Sequence, residues 1–312
     1  MENVGRNRVV PNFVGLFSVY NGDLPTPLFQ SLWSILKGQT ESLDLSVGVI
    51  EGELSDQLER VVAHFADVQW VRIPKVASAL NFGLPECLNK GLEVIGPNNI
   101  VLKIDTDDIY DRNRVAVTKR HFLEDDDLVL FGGQVLEWDE EFLRPIGLRR
   151  VPLEHDKVYQ YGKRRNPFNG PSVAFRSGPI MGLGGFKHVG ANEDYVLWSA
   201  VLQAGNKSKN SADVLVHMRG GSTLVHRRSN QRTRKGELEA LKAIRAVGYY
   251  TRPEYYAHVV FKQVVRRMPH FLNNGIYRIL LRSNGSNRVV PEEVLAAKAA
   301  FISFQSDENH GS

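Results

Sequence analysis

Between residues 12 and 104 short apolar runs alternate with helical patterns, and no other feature of the chain restricts its fold so strongly. Asn12 to Val19 reads as a first strand, closed by Tyr20-Asn21-Gly22-Asp23. A helix follows, with Pro25 and Pro27 near its start, an apolar stripe of Leu28, Phe29, Leu32, Trp33, Ile35 and Leu36, and a stop at Gly38. Leu43 to Ile50 is a second strand ending at Glu51-Gly52, and Ser55 is placed to cap a helix carrying Leu58, Val61, Val62 and Phe65. Val68 to Ile73 gives a third strand, Pro85 suits the first position of the next helix through Leu88, Leu92 and Val94, and Asn99 to Ile104 is the fourth strand. This alternation predicts a parallel, right-handed α/β sheet, which binds ligands outside the carboxyl ends of its strands. Tyr20-Asn21, Glu51 and Asp105-Thr106-Asp107-Asp108 all fall at such ends.

Three carboxylates within four positions repel one another and raise one another's pKa unless a cation or solvent relieves them. Oxygen ligands suit Mg²⁺ or Mn²⁺, and a pair of carboxylates at a strand end suits a cation that also meets a phosphate-bearing ligand. An acidic, solvated turn is the plainer reading of an isolated Asp-x-Asp. A calcium EF-hand is excluded: counting from Asp105, the glycine position holds Tyr110 and the bidentate glutamate position holds Ala116. A phosphatase with an aspartate nucleophile is disfavoured, because its nucleophile belongs on the first strand and no glycine follows Asp107. The chain has no Gly-x-Gly-x-x-Gly after the first strand and no Gly-x-x-x-x-Gly-Lys-Ser/Thr, which counts against dinucleotide and P-loop enzymes, and a nucleotidyltransferase lacks its glycine-rich first loop.

Beyond the acidic stretch, Arg112 to Phe122 fits a helix and Leu128 to Trp138 a strand interrupted by Gly132-Gly133. Lys163 to Arg165 precedes a turn-rich segment, Asn166-Pro167-Phe168-Asn169-Gly170-Pro171, that leads into a short strand, Ser172 to Phe175. Met181 to Phe186, with Gly182, Gly184 and Gly185, reads as a close-approach loop. Asn192 then suits an N-cap, placing Glu193 and Asp194 in a helix's first turn while Leu197, Val201 and Leu202 turn inward. Such carboxylates complement the helix dipole, worth about 0.3 to 1 kcal/mol, or serve as a rigidly held general base.

A chain of 312 residues with 42% hydrophobic and 24% charged content can bury one large core or two modest ones. The single cysteine, Cys87, rules out an internal disulfide framework, fits a reducing compartment, and reads as a small buried hydrophobe on a helix. Met1 to Val10 lacks an apolar h-region, and no run of apolar residues is long enough for a transmembrane helix. The net charge of +4 hides an asymmetry. From Arg227 to Arg282 the basic residues, Arg227, Arg228, Arg252, Lys262, Arg266, Arg267, Arg278 and Arg282 among them, face only Glu237, Glu239 and Glu254. This stretch lacks a repeated aromatic platform or a recognition helix, so nucleic acid is not expected. Its apolar runs, Tyr255 to Val265 and Phe271 to Leu281, broken at Pro269 and Asn273-Asn274-Gly275, suit helices lying on an anionic membrane surface, or helices packed on the rest of the chain with a basic outer face.

The order of these pieces resembles the bacterial family 2 glycosyltransferases of GT-A fold, particularly those that build exopolysaccharide, capsule or O-antigen repeat units. The matching segments are Phe17-Ser18-Val19-Tyr20-Asn21, Leu88-Asn89-Lys90-Gly91-Leu92, Ile104-Asp105-Thr106-Asp107-Asp108, Arg165-Asn166-Pro167-Phe168-Asn169, Gly184-Gly185-Phe186 and Glu193-Asp194-Tyr195-Val196-Leu197-Trp198. The resemblance implies a GT-A catalytic domain with a Rossmann-like, mostly parallel sheet over residues 1–225 and a basic helical segment over 226–312 with a flexible tail. It implies an inverting, metal-dependent transferase that moves a sugar from a UDP-, GDP- or dTDP-linked donor to a hydroxyl of a glycan or polyprenyl-diphosphate-linked acceptor, peripheral on the cytoplasmic face of the inner membrane. A non-catalytic nucleotide-sugar or glycan-binding relative is the other reading, which loss of Asp107 or Asp194 would have signalled. By the same resemblance Tyr20, Asn21, Glu51, Lys103 and Asp105 meet the nucleotide, Asp107 and Asp105 hold Mn²⁺ or Mg²⁺, and Asp108 meets the donor sugar. Asp194 is the base with Glu193 beside it. By their charge Arg219, Arg227 and Arg228 suit a supplement to the metal at the pyrophosphate, or else a solvated basic loop. Glu51 occupies a position where many members carry Asp.

Overall fold

A computed structural model describes residues 10–75, 83–220, 231–267, 283–284 and 289–310. The expected alternation is present. Strands β1 (Phe13–Tyr20), β2 (Leu45–Glu51), β3 (Gln69–Ile73) and β4 (Ile100–Lys103) are separated by helices α1 (Pro25–Leu36), α2 (Asp56–His64) and α3 (Gly83–Ile95). β1 pairs in parallel with β2 and β4, and β2 with β3, so the sheet runs β3-β2-β1-β4 and the three strand ends that carry Tyr20, Glu51 and the acidic motif lie on one edge. Tyr20 stands directly opposite Glu51. Pro85 is the third residue of α3 rather than its first, and Ser55 sits at the N-cap of α2 without a side-chain capping bond.

The second half was only partly legible. β5 (Ile109–Tyr110), α4 (Arg114–Glu124) and β6 (Leu128–Trp138) follow the acidic motif. Gly132-Gly133 do not end β6; the pairing shifts register there instead. β7 (Pro145–Arg149), α5 (His155–Gly162), β8 (Ala174–Arg176) and α6 (Ser177–Gly182) come next. α7 (Glu193–Gln203) begins where expected, but Asn192 adopts φ 60 and makes no side-chain cap, so the helix starts from a left-handed turn rather than from a capping bond. β9 (Lys207–Arg219), absent from the sequence reading, runs parallel to β6 and antiparallel to β5. β4 and β6 both pair antiparallel with β8, which joins the two halves into one mixed sheet curled into a half-barrel.

Alternating side chains of β1 feed two cores. Phe13, Phe17 and Val19 face Leu28, Phe29, Leu32 and Val61; Val14 and Leu16 face Leu88, Leu92, Trp198 and Ile244. Ile244 belongs to α8 (Gln231–Ala246), which precedes α9 (Arg252–Arg267), the short strand β10 (Ser283–Asn284) and α10 (Glu292–His310). α10 packs into the first core: the rings of Phe301 and Phe304 lie 5.4 and 4.7 Å from Phe29. Among the described residues no helix is long and apolar enough to cross a membrane. Of the two apolar runs of the basic stretch, the first falls on α9; Phe271 to Leu281 lies outside the described residues.

Candidate functional site

The acidic motif leaves β4 in a turn pinned from beneath. Ser31 Oγ and the Tyr110 hydroxyl donate to the Asp105 carbonyl at 2.9 and 2.8 Å, and the Asp105 amide donates back to Tyr110 Oη at 2.6 Å. Arg219, the last residue of β9, clasps the same turn. Its amide donates to Asp108 Oδ1 at 2.9 Å and its Nε to the Asp107 carbonyl at 3.1 Å, while the two terminal nitrogens reach the Glu140 carbonyl at 2.6 Å and Gln30 Oε1 at 2.8 Å. With its guanidinium over the Phe142 ring at 4.6 Å, Arg219 holds the loop through protein atoms. Asp107 is exposed, and Asp108 beside it is buried. Burial, then the charges of Asp107 and Asp105, hold the Asp108 carboxyl well above its usual range.

Lys103 connects this turn to the second pair of acids. Its buried ammonium donates to Asp105 Oδ1. Burial alone would depress it, but Asp105, with Asp194 and Glu193 adding, raises it above its ordinary value, so the cation stays charged. Asp194, in the first turn of α7, accepts from Asn166 Nδ2 at 3.0 Å and from the Tyr195 amide at 2.6 Å. Burial nevertheless raises its carboxyl, against the opposing pull of Lys103 and these hydrogen bonds. Burial and the neighbouring Asp194 charge push Glu193 up to about 7. Lys103, Asp105, Glu193 and Asp194 are therefore one electrostatic unit although they come from two distant segments.

The third cluster lies at the ends of β1 and β2. Tyr20 is 43% exposed, and Asn21 Oδ1 accepts the Ser55 amide at 2.8 Å, tying the loop after β1 to the start of α2. The Glu51 carboxylate lies against Gly83, the first residue of α3, where a Cβ would fall 2.0 Å from its Oε2. Arg227 and Arg228 lie outside the described residues.

Two pieces with no expected role prove to be supports. Asn89 in α3 donates to the Phe186 carbonyl at 2.9 Å and accepts the Phe186 amide at 2.8 Å across 97 residues of chain. Gly185 beside it, at φ 63, would set a Cβ only 2.3 Å from Asn89 Oδ1. Asn166, whose Oδ1 accepts the Phe168 amide at 3.2 Å, is thereby oriented to donate to Asp194. The signal for Asn166 was the amide-rich, turn-forming composition of its segment; the helical stretch around Asn89 gave none. Cys87 is buried on α3, where burial and nearby acids push its thiol up to about 12, in keeping with an inert packing role.

Asp111, His217 and Glu293 bring donor atoms within 4.8 Å of one another. Their hydrogen bonds decide what they are. The Trp138 indole can only donate, and it reaches His217 Nδ1 at 3.2 Å, so the neutral ring carries its hydrogen on Nε2, which faces Glu293 Oε1 at 2.8 Å. A ring so fixed offers no Nε2 lone pair to a metal, and the trio is a clasp between β9 and α10.

No protein-family model matches the chain. It is 32% identical over 262 residues to the amylovoran biosynthesis glycosyltransferase AmsE of Erwinia amylovora, covering 82% of this chain and 94% of that one. To the UDP-Gal:alpha-D-GlcNAc-diphosphoundecaprenol beta-1,3-galactosyltransferase of Escherichia coli it is 27% identical over 282 residues, covering 87% and 97%. The solved mannosyltransferase PcManGT of Pyrobaculum calidifontis, in complex with GDP-Man and Mn²⁺, is similar with a TM-score of 0.53 at 16% identity over 96% of this chain and 87% of that one. S. aureus TarS in complex with UDP gives 0.53 at 13% over 76% of this chain and 65% of that one. At such identities the two structures speak to the fold alone, and the fold they share is α/β and GT-A-like.

Proposed function

The chain belongs to the glycosyltransferase family that includes AmsE of Erwinia amylovora, and on that premise we propose that it is an inverting, metal-dependent, family 2 type enzyme of cell-surface polysaccharide synthesis. The donor is a UDP-, GDP- or dTDP-sugar and the acceptor a hydroxyl of a polyprenyl-diphosphate-linked glycan, met at the cytoplasmic face of a membrane. The relative that acts on a diphosphoundecaprenol-linked sugar supports this acceptor class. The observation that carries the reading is the convergence of Asp105 and Asp194 on Lys103, which sets a candidate base beside the turn that would hold the donor.

The donor set fits a hard divalent cation, Mn²⁺ or Mg²⁺. Asp105 and Asp107 offer only oxygen, and their charges raise buried Asp108, a like-charge strain that a cation relieves. Asp107 and Asp105 would hold it, and it would supply positive charge against a departing nucleoside diphosphate. Asp108, accepting the Arg219 amide, would shape the donor-sugar end of the turn. Asp194 would take the proton of the acceptor hydroxyl as that oxygen attacks the anomeric carbon from the face opposite the leaving diphosphate, giving inversion in one displacement. Glu193 tunes it through charge. Tyr20, Asn21 and Glu51 stand where base and ribose would lie, with Lys103 neutralising Asp105. Arg219 would act on the pyrophosphate indirectly, by fixing the turn; Arg227 and Arg228 remain candidates for direct contact. In the proposed division of labour, residues 1–225 catalyse and 226–312 supply the membrane side. Incubation of the enzyme, Mn²⁺ and a panel of nucleotide sugars with lipid-linked acceptors should give one donor-dependent mass increment, with the new linkage of opposite anomeric configuration. A retained configuration would overturn the mechanism, and no transfer from any donor would overturn the reading.

A further inference from the structure

The helix α9 is turned the wrong way round for a surface helix. Its partly buried side carries Glu254, Tyr255, His258, Val259, Lys262 and Gln263, whereas its exposed side carries Pro253, Tyr256, Ala257, Val260, Phe261 and Val264. These outward positions recur at three- and four-residue spacing and form a single stripe. Tyr256, Val260, Phe261 and Val264 are 59%, 60%, 61% and 48% exposed. A solvated helix face is ordinarily polar, and a contiguous exposed apolar patch marks a surface that meets something.

The inner contacts fix this orientation. His258 Nε2 lies 2.8 Å from the Lys163 carbonyl and its ring stacks on Tyr250 at 4.6 Å. Lys262 pairs with Glu237 at 3.1 Å, Lys163 with Glu254 at 3.7 Å, and Arg245 lies over Tyr255 at 5.3 Å. The same pairs consume Glu237 and Glu254, while Arg252, exposed and four residues before Tyr256, lies on the outward side, and the helix sequence ends in Arg266-Arg267.

We propose that the outward face of α9 docks on an anionic lipid bilayer, its apolar stripe entering the headgroup boundary and the flanking cations meeting lipid phosphate. Charge decides between this occupant and a second copy of the chain. A twofold dimer sets the same patch against itself and would enclose Arg252 of both copies in an interface to which the exposed positions of α9 bring no acid, whereas anionic lipid complements the cation. At about 1.5 Å per residue the 16-residue helix is about 24 Å long, too short to span, and it lies in the interface plane. Its place in the fold gives docking a use, which rests on the reading of the acceptor as lipid-linked. Lys163 stands three positions before Asn166, whose amide holds Asp194, and Tyr250 shares a hydrogen bond with the hydroxyl of Tyr195, the residue after Asp194. A docked α9 therefore brings the base-bearing side of the site to the bilayer.

The test is co-sedimentation of the full chain with phosphatidylcholine vesicles with and without phosphatidylglycerol, at low and high salt. Binding should require the anionic lipid and fall with salt. Phe261→Glu should lower the bound fraction about tenfold, from loss of one inserted aromatic ring, while Val289→Glu, an equal charge change at a site 90% exposed, should leave it unchanged. Transfer to a lipid-free acceptor analogue should be the same in both variants. Equal binding to neutral and anionic vesicles, no vesicle binding by the natural chain, unimpaired binding by Phe261→Glu, or a dimer that Phe261→Glu dissolves would each overturn the proposal. Vesicle binding without transfer from any donor would instead strike the functional reading and leave the docking surface standing.

Discussion

Asp194 is held by two donors, Asn166 Nδ2 and the Tyr195 amide, and raised by burial, a combination that keeps a carboxylate oriented and basic. Asp194→Asn should lower kcat about 10²–10⁴-fold with nucleotide affinity nearly unchanged, because the group acts on the acceptor. Asn166→Ala should cost less and move the acid limb of the pH–rate profile to higher pH, since it removes a hydrogen bond to the charged form; an unmoved limb would reduce Asn166 to a packing role. Should Glu193→Gln be the damaging change and Asp194→Asn nearly silent, the base is Glu193. At the other acid cluster, Asp107→Asn should abolish most transfer while the protein stays folded, as should excess chelator; full activity in chelator counts against a metal. The raised Glu193 also makes a stability prediction. An unfolded glutamate loses its proton near 4.5, while the folded protein holds this one up to about 7, so in between the native state binds more protons and stability falls as pH rises. Thermal midpoints measured in chelator without nucleotide should decline from about pH 5 to about pH 8, and Glu193→Gln should shed part of that slope. Asp194, Asp108 and Asp111, raised in the same sense, contribute with the same sign.

At the scale of elements, the site depends on how α7 is presented. The loop before it is anchored to α3 by the two hydrogen bonds between Asn89 and the Phe186 backbone, and the approach is close because Gly185 has no Cβ and takes φ 63. Gly185→Ala combines a left-handed backbone with a 2.3 Å collision against Asn89 Oδ1, and should cost about 1–3 kcal/mol in urea unfolding and lower activity as the start of α7 shifts. Gly182→Ala, where a Cβ meets nothing within 4 Å, should leave both unchanged. Equal effects of the two would mean that the anchor does not control the loop.

For the molecule as a whole, the question is whether the C-terminal region is an appendage. α10 puts Phe301 and Phe304 against Phe29 in the first core and joins β9 through Glu293 and His217. Phe301→Ala should therefore destabilise the entire protein by about 3 kcal/mol, as a single shifted cooperative transition. If instead the catalytic unit melts as before and only a small separate transition moves, residues after 225 fold on their own.

The strand-helix alternation from β1 to β4 is legible in the residues alone, because each element there buries an apolar stripe whose period shows in a short window. That alternation alone places Tyr20, Glu51 and Asp105 on one edge, and the carboxylates at the start of α7 were visible as a pair. The rest depends on pairing between distant segments, which no short window shows. β9 carries Lys207, Lys209, Asn210 and Asp213 and has no strand-like pattern until Val214; it is a strand because β6 and β5 supply its partners. For the same reason Arg219, basic and near the C-terminal cations in sequence, turns out to clasp the acidic loop, and Lys103, unremarkable in β4, pairs with Asp105 and feels the charges of Asp194 and Glu193. α9 is the clearest case: its sequence shows an apolar stripe, but only the contacts of His258 and Tyr250 on the opposite face decide that the stripe points outward. Local periodicity reports which residues share a side, and the packing of the rest of the chain decides which side is in.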